Sequence, residues 1–241
     1  MLCFAVTLVS MSSFDPLKVL SFDLETTSAN PFEARIVTSA LVRIDSSGSH
    51  PYEMLADPGV EIPEQASKVH GISTEYAREH GRPHDDVVQE TISTIEKAWA
   101  DGYTLVVFNA PYDLTVLHRL EPKFLVRGPV YDPFVMDKIC DRYRKGPRTL
   151  TALSEHYGVK LDNAHEATAD ALAAARIAWM QAKRNYATEI SSRSVEELME
   201  FQAVGYHEVQ TGFAKHLAGK GKDASTVNTS WPMQSFEHRN N

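Results

Sequence analysis

Stretches in which apolar residues alternate give way along the chain to stretches in which they recur every three or four positions, and this switch sets an order of elements. Residues 17–25 read as a first strand, and Arg35 to Ile44 alternates as a second. Tyr52 to Ala56 begins a third, which stops at Asp57-Pro58-Gly59. Helices are predicted from Pro63, from Ser73 and across Pro83 to Ala100, the last amphipathic through Val87, Val88, Ile92, Ile95 and Trp99. Gly102 ends it, Tyr103 to Phe108 reads as a buried strand, and Pro111 to Leu120 follows as a helix with proline in its first turn. A short strand and further helices come next. One is alanine-rich, with Ala169, Leu172, Ala173, Ile177 and Met180 on its apolar face; another covers Ser194 to Leu217, weakened by Gly205 and Gly212. Three meander-like strands followed by strand-helix units predict an α/β fold, with a mixed central sheet of about five strands flanked by helices on both sides.

Two carboxylates interrupt the first strand. In Phe22-Asp23-Leu24-Glu25-Thr26-Thr27, alternation puts Asp23 and Glu25 on one face. Like charges side by side at a sheet centre repel and lose hydration, so a cation between them, most simply a divalent metal, explains their presence. Two other segments offer further ligands. Asn109-Ala110-Pro111-Tyr112-Asp113 places a carboxylate just inside a helix that follows a strand end. His165-Glu166-Ala167-Thr168-Ala169-Asp170 leads into the alanine-rich helix. Helical positions five apart diverge by roughly 140°, so His165 and Asp170 converge only if His165 stands in the loop before the helix, free to titrate. Taken singly, Asp113 as a first-turn acid or His165 as a surface histidine needs no chemistry. Jointly they require three independent accidents.

With these residues in view, the chain resembles the DnaQ-like 3′–5′ exonucleases of the DEDD superfamily, in the subgroup whose last motif carries histidine. Phe-Asp-Leu-Glu-Thr-Thr is similar to the first exonuclease motif, Asn-Ala-Pro-Tyr-Asp to the second and His-x-x-x-x-Asp to the third, in the family's order. Val69-His70-Gly71-Ile72 and Thr149-Leu150-Thr151-Ala152-Leu153 fall between them as further family-like phrases. The resemblance implies a ribonuclease H-like fold, with the first and fourth strands adjacent at the sheet centre. It implies that Asp23, Glu25, Asp113 and Asp170 hold two divalent ions, Mg2+ or Mn2+, roughly 3.5–4 Å apart, with His165 as general base. The implied reaction releases nucleoside 5′-monophosphates from a 3′ end. Leu24, Thr26, His70, Asn109 and Tyr112 resemble the positions that meet the terminal nucleotide. Tyr112 stands where the family often has phenylalanine, a departure that adds a hydroxyl.

Single-stranded or frayed DNA is the leading expected substrate, in proofreading or repair, with a DNA polymerase as an open partner. The alternatives are an RNA-directed relative using the same site, and a non-catalytic nucleic-acid-binding module. The last ranks lowest because all four carboxylates and the histidine are present.

Composition fits one enzyme domain with appendages: residues 1–16 as an extension, 17–187 as the exonuclease domain, 188–218 as a helical appendage and 219–241 as a flexible polar tail. Within that tail, Trp231-Pro232-Met233 is expected to dock onto the domain itself. Charges of 24 Lys and Arg against 32 Asp and Glu give −8, so attraction to phosphate must be local. Lys138, Arg142, Arg144, Lys145 and Arg148, with Tyr143 among them, are candidates for contact upstream of the 3′ end, or equally a solvated helix terminus. Cys3 and Cys140 form no disulfide framework, and a reducing cytoplasm is the expected location, with no membrane association. Oligomeric state is not legible. Residues 1–10 are apolar but too short for a span and lack a basic leader, while Met11 precedes a sensible beginning. Protein started at Met11 is expected to keep its folding and activity, checked by circular dichroism and turnover beside the full chain; loss of folding would make the first ten residues part of the domain.

Overall fold

A computed structural model describes residues 12–161 and 164–235, so the expectation about residues 1–10 lies outside the described residues. The elements in chain order are β1 (Val19–Thr26), β2 (Ile36–Asp45), β3 (Gly48–Asp57), α1 (Glu64–His70), α2 (Thr74–His80), β4 (Arg82–Pro83), α3 (His84–Ala100), β5 (Thr104–Val107), α4 (Ala110–Leu120), β6 (Val130–Tyr131), α5 (Pro133–Cys140), α6 (Leu150–Tyr157) and α7 (Ala167–Met180). A π-helical turn (Gln181–Asn185), α8 (Ala187–Ser191) and α9 (Val195–Gly219) follow. The sheet has six strands in the order β4-β3-β2-β1-β5-β6. It is mixed: β1, β2 and β3 pair antiparallel, while β1–β5 and β5–β6 are parallel. The sixth strand beyond the expected five is β4, two residues that close the edge beside β3. The third strand starts earlier than its apolar pattern suggested, because Gly48 to Pro51 pair with β2 but are exposed and carry no apolar alternation.

Alternation along β1 sorts its side chains between two cores. Leu20, Phe22 and Leu24 pack with Val87, Val88, Ile92 and Ile95 of α3 and Leu114 and Leu117 of α4. Val19 instead joins Ala174, Ala175 and Ala178 of α7. Ser21, on this second face, donates to the Ala171 carbonyl at 2.6 Å, which pins α7 across β1. Small side chains on α7 let it lie close to the sheet, so Asp23 and Glu25, next on the same face, point to the end of the helix that begins with Ala167.

The C-terminal helix α9 is opened by a capping box, Ser194 with Glu197, and runs against α5. Gly205 permits that approach: a Cβ there would lie 2.4 Å from Ile139 Cγ2, whereas one at Gly212 would meet nothing within 4 Å. The glycine that weakens the helix therefore serves packing, and the other does not. Gly205→Ala should cost about 1–3 kcal/mol by overpacking, while Gly212→Ala should add roughly 0.5–1 kcal/mol of helix stability. Denaturant midpoints of the two variants check this, and equal effects would remove the close contact as the reason for Gly205.

Candidate active site

The parallel pairing of β1 with β5 ends at Phe22–Val107, so Asp23 is the first residue of β1 without a partner on that side. β1 is also where the sheet changes from antiparallel to parallel neighbours, the position at which strand ends leave a crevice. Beyond β5 the chain turns sharply. Asn109 adopts left-handed geometry (φ 66°), and α4 starts at Ala110. This brings Asp113, 4% exposed, to Leu24, whose amide donates to Asp113 Oδ1 at 3.2 Å. From the other face α7 presents Asp170, and His165 stands in the loop before it, exposed and at φ 70°. The His165 amide points to the Asp170 carboxylate oxygens at 3.3 and 3.4 Å. One ligand atom from each of Glu25, His165 and Asp170 lies within 4.8 Å of the others. The left-handed turn is what lets residues five apart converge.

The electrostatics follow from this crowding. Burial pushes the Asp23 carboxyl well above its ordinary value, helped by repulsion from Asp113, Asp170, Glu25 and Glu53. Glu25 is pushed up to about 8 by burial, then by Asp170 and Glu53. Asp113 is raised by burial against the hydrogen bonds it accepts, and Asp170 is raised by burial. These are hard oxygen donors with too few protein donors of their own, the chemistry that a divalent cation relieves. The residues present therefore fit a metal centre.

Glu53 was not visible in the sequence as a neighbour of the site. It lies opposite Ala40, which lies opposite Asp23, so all three share one face of the sheet, and its carboxylate accepts from Thr168 Oγ1 in the first turn of α7. Asp132 was missed too, although Asp-Pro before an apolar run is a helix-start signal. Its carboxylate caps α5 through the Phe134 and Val135 amides (3.0 and 3.2 Å) and also receives the Asn109 and Ala110 amides (3.1 and 2.9 Å), fixing the start of α4.

Two clefts meet at the carboxylates and share Leu24 and Tyr112 as a common wall. One, of about 640 Å³, is lined by Glu25, Thr26, Ser28, Val69 and His70 among others. There His70 Nδ1 accepts from the Ile72 amide at 3.2 Å, which leaves the proton on Nε2, and Nε2 has no protein partner. Burial lowers the affinity of this imidazole for a second proton. The Tyr112 hydroxyl donates to the Ser28 carbonyl and lies against Thr26 Oγ1, so it locks the loop after β1 to α4 while the residue lines both clefts. The other cleft, of about 600 Å³, runs from Asp23, Asn109 and Asp113 to Phe108, Phe134, Lys138 and Arg148.

The basic segment does two jobs. Arg144 and Arg148 both pair with Asp137, a fully buried carboxylate, and Arg148 also donates to the Asp137 and Asp141 carbonyls. Lys138 Nζ sits 4.0 Å from the Phe134 ring centre within the cleft, and Tyr143 is 90% exposed. The segment is thus partly an internal brace rather than a uniformly solvated basic strip.

The exonuclease (RNase T) family profile matches residues 20–178, and the chain belongs to this family as a DnaQ-like 3′–5′ exonuclease domain. It is similar to DNA polymerase III subunit epsilon of Rickettsia prowazekii (strain Madrid E), 28% identical over 67% of this chain and 72% of that protein. A DNA polymerase III subunit epsilon-like protein of Rhodobacter capsulatus is 31% identical over 67% of this chain, which spans only 23% of that protein. Among solved structures, exonuclease I superposes with a TM-score of 0.61 at 20% identity, over 69% of this chain and 41% of that one. E. coli exonuclease I bound to a dT13 oligonucleotide gives 0.60 at 18% identity, over 71% of this chain and 42% of that one. The ribonuclease H-like architecture is shared. No described helix is long and apolar enough to cross a membrane.

Glu25 makes the charge on this site measurable. The folded chain keeps its Glu25 proton up to about pH 8, whereas the unfolded chain releases it near the ordinary carboxylate value. Between the two the folded state binds more protons, so with a chelator present stability should fall as pH rises from about 5 to about 8. Divalent cations should displace those protons and reverse the trend. Melting temperatures across this range, with chelator and with Mn2+, check it; a pH-independent melting point in chelator would contradict the crowding.

Proposed function

We propose that the chain hydrolyses the terminal phosphodiester of single-stranded or frayed DNA 3′ ends, with Mg2+ or Mn2+, and releases nucleoside 5′-monophosphates. The observation that carries this reading is the convergence of Glu25, His165 and Asp170 at the end of β1, where Asp23 and Asp113 also arrive. Asp23, Glu25, Asp113 and Asp170 would hold the metal ions, which when bound supply neutralisation of phosphate charge and a more acidic water.

The remaining work falls to the chain's own groups. His165, exposed beside Glu25 and Asp170, takes the proton of the attacking water on an imidazole nitrogen. The cleft of Leu24, Thr26 and His70 receives the terminal nucleotide, with His70 Nε2–H as a donor to one of its oxygens. The cleft through Asn109, Phe108, Phe134 and Lys138 takes the nucleotides before it, offering aromatic faces and a cation to the backbone. Tyr112 orders the wall between them and holds Thr26 in place. The choice of DNA over RNA rests on the polymerase-subunit names of the relatives and the oligodeoxynucleotide bound to exonuclease I. A polymerase partner, two metal ions and a cytoplasmic location belong to the same reading.

The test is degradation of matched 3′-ended single-stranded DNA and RNA with Mg2+, Mn2+ or chelator. Wild type should release 5′-mononucleotides only with metal, and faster from DNA. Asp170→Ala should abolish both turnover and metal binding, whereas His165→Ala should lower kcat by about 10²–10⁴ and leave metal affinity near wild type. Faster cleavage of RNA would move the substrate to RNA. Unchanged turnover in His165→Ala would remove that residue from the mechanism.

A further inference from the structure

The chain after α9 folds back onto the domain. Trp231 is 9% exposed, packs in the main core and donates from Nε1 to Asp132 Oδ2 at 3.3 Å. This is the oxygen that also receives the Ala110 amide, the first of α4. Three residues on, the Gln234 amide donates to Thr115 Oγ1 at 2.8 Å, and Thr115 Oγ1 in turn donates to the Pro111 carbonyl at 2.6 Å. Both hydrogen bonds thus end on the first turn of α4, one through Asp132 and one through Thr115. Asn228 closes the returning segment on itself: Oδ1 accepts from the Ser230 and Ser235 amides, and Nδ2 donates to the Ser235 carbonyl. Gln210 of α9 holds the Asn228 carbonyl at 3.2 Å. Asn228-Thr229-Ser230 is accordingly a structural turn with the Asn228 amide turned inward.

We propose that Trp231 is a positioning residue: the C-terminal segment is a clasp on the start of α4, and through it fixes the helix from which Asp113 reaches the site. The segment lies beyond residue 178, where the family match ends, so the family profile does not describe the clasp. It lines neither cleft at the carboxylates, so its effect passes through backbone position and not through substrate contact. Without the indole N–H, Asp132 Oδ2 retains the Ala110 amide alone among its donors in the described residues, and a buried carboxylate short of a donor holds the start of α4 less firmly. A small shift of the first turn of α4 is enough to misplace a metal-binding carboxylate.

The effect on turnover rests on the exonuclease reading; the effect on α4 does not. The test uses Trp231→Phe, which keeps an apolar ring and removes the donor, and Gln234→Pro, which removes the amide bonded to Thr115 and leaves Trp231. Amide exchange of Asn109 and Ala110 should speed at least tenfold in Trp231→Phe. Mn2+ affinity, measured by calorimetry, and kcat should each fall about tenfold, with KM for a 3′-ended oligonucleotide within about twofold of wild type. Gln234→Pro should shift the same quantities in the same direction. Unchanged exchange at Asn109 and Ala110 overturns the proposal, as does a lower melting temperature with wild-type kcat and Mn2+ affinity, which would make the segment packing only. If Trp231→Phe fails to fold, Gln234→Pro decides with the same readouts. A wild-type chain that cleaves nothing sinks the exonuclease reading alone, since exchange and Mn2+ affinity still decide the clasp.

Discussion

A single buried carboxylate, Asp132, joins the parts of the molecule that must agree if the site is to form. It receives five N–H groups: two from the start of α4, two from the start of α5 and one from Trp231. Its own amide donates to Gln202 of α9, whose side chain also bonds the Val130 carbonyl. Burial raises its pKa to about 6, and the donors oppose that rise, so the carboxylate stays ionised at neutral pH. An ion in a core is tolerated only while its hydrogen bonds are complete. The positions of α4, α5, α9 and the C-terminal segment are therefore coupled, and Asn109 takes its left-handed turn because both its amide and the next one point at the same acid.

The carboxylates of the site are arranged on the opposite principle. Asp113 accepts the Leu24 amide and Asp170 faces the His165 amide, and otherwise these groups face one another. Asp137 gives a second contrast, since it is fully buried yet matched by Arg144, Arg148 and the Tyr157 hydroxyl. Three buried or half-buried acidic environments thus separate by their partners. Two are satisfied from within the protein and serve the fold. The third is left with mutual repulsion that His165 opposes at Asp170 and that no lysine or arginine ion pair among the described residues offsets, and such a cluster in a cleft marks a place where charge is to be supplied by what binds.

Much of the site was legible because strand alternation and segment order fix it. Asp23 and Glu25 share a face whatever the tertiary details, and His165 had to precede the helix for geometric reasons that the φ of 70° now makes concrete. Residues whose role depends on a distant partner were not legible. Glu53 joins the site only because β2 carries Ala40 between it and Asp23, a register that no local pattern encodes. Gln181 and Gln202 look like surface residues in a helical sequence, yet both are buried because they satisfy backbone and tyrosine groups across the core. The Asp132-Pro133 signal was present, but it marks a helix start and not a junction of two helices with a tail. Gly205 reads as a helix weakness until Ile139 is placed against it.

The distribution of cations bears on how an acidic chain meets a polyanion. Of the five basic residues between 138 and 148, Arg144 and Arg148 share the single charge of Asp137, and Arg142 lies 3.7 Å from Glu208. Lys138 stays in the cleft beside Phe134, where burial lowers its pKa and the charges of Asp132 and Asp137 oppose the drop. Long-range attraction to a nucleic-acid backbone is therefore weak, and few fixed charges are available to release counterions. On the proposed function, attraction would concentrate instead at the carboxylate cluster when cations occupy it. A strand end that enters the clefts, as proposed, would need less of that long-range attraction than a long duplex lying across the molecule.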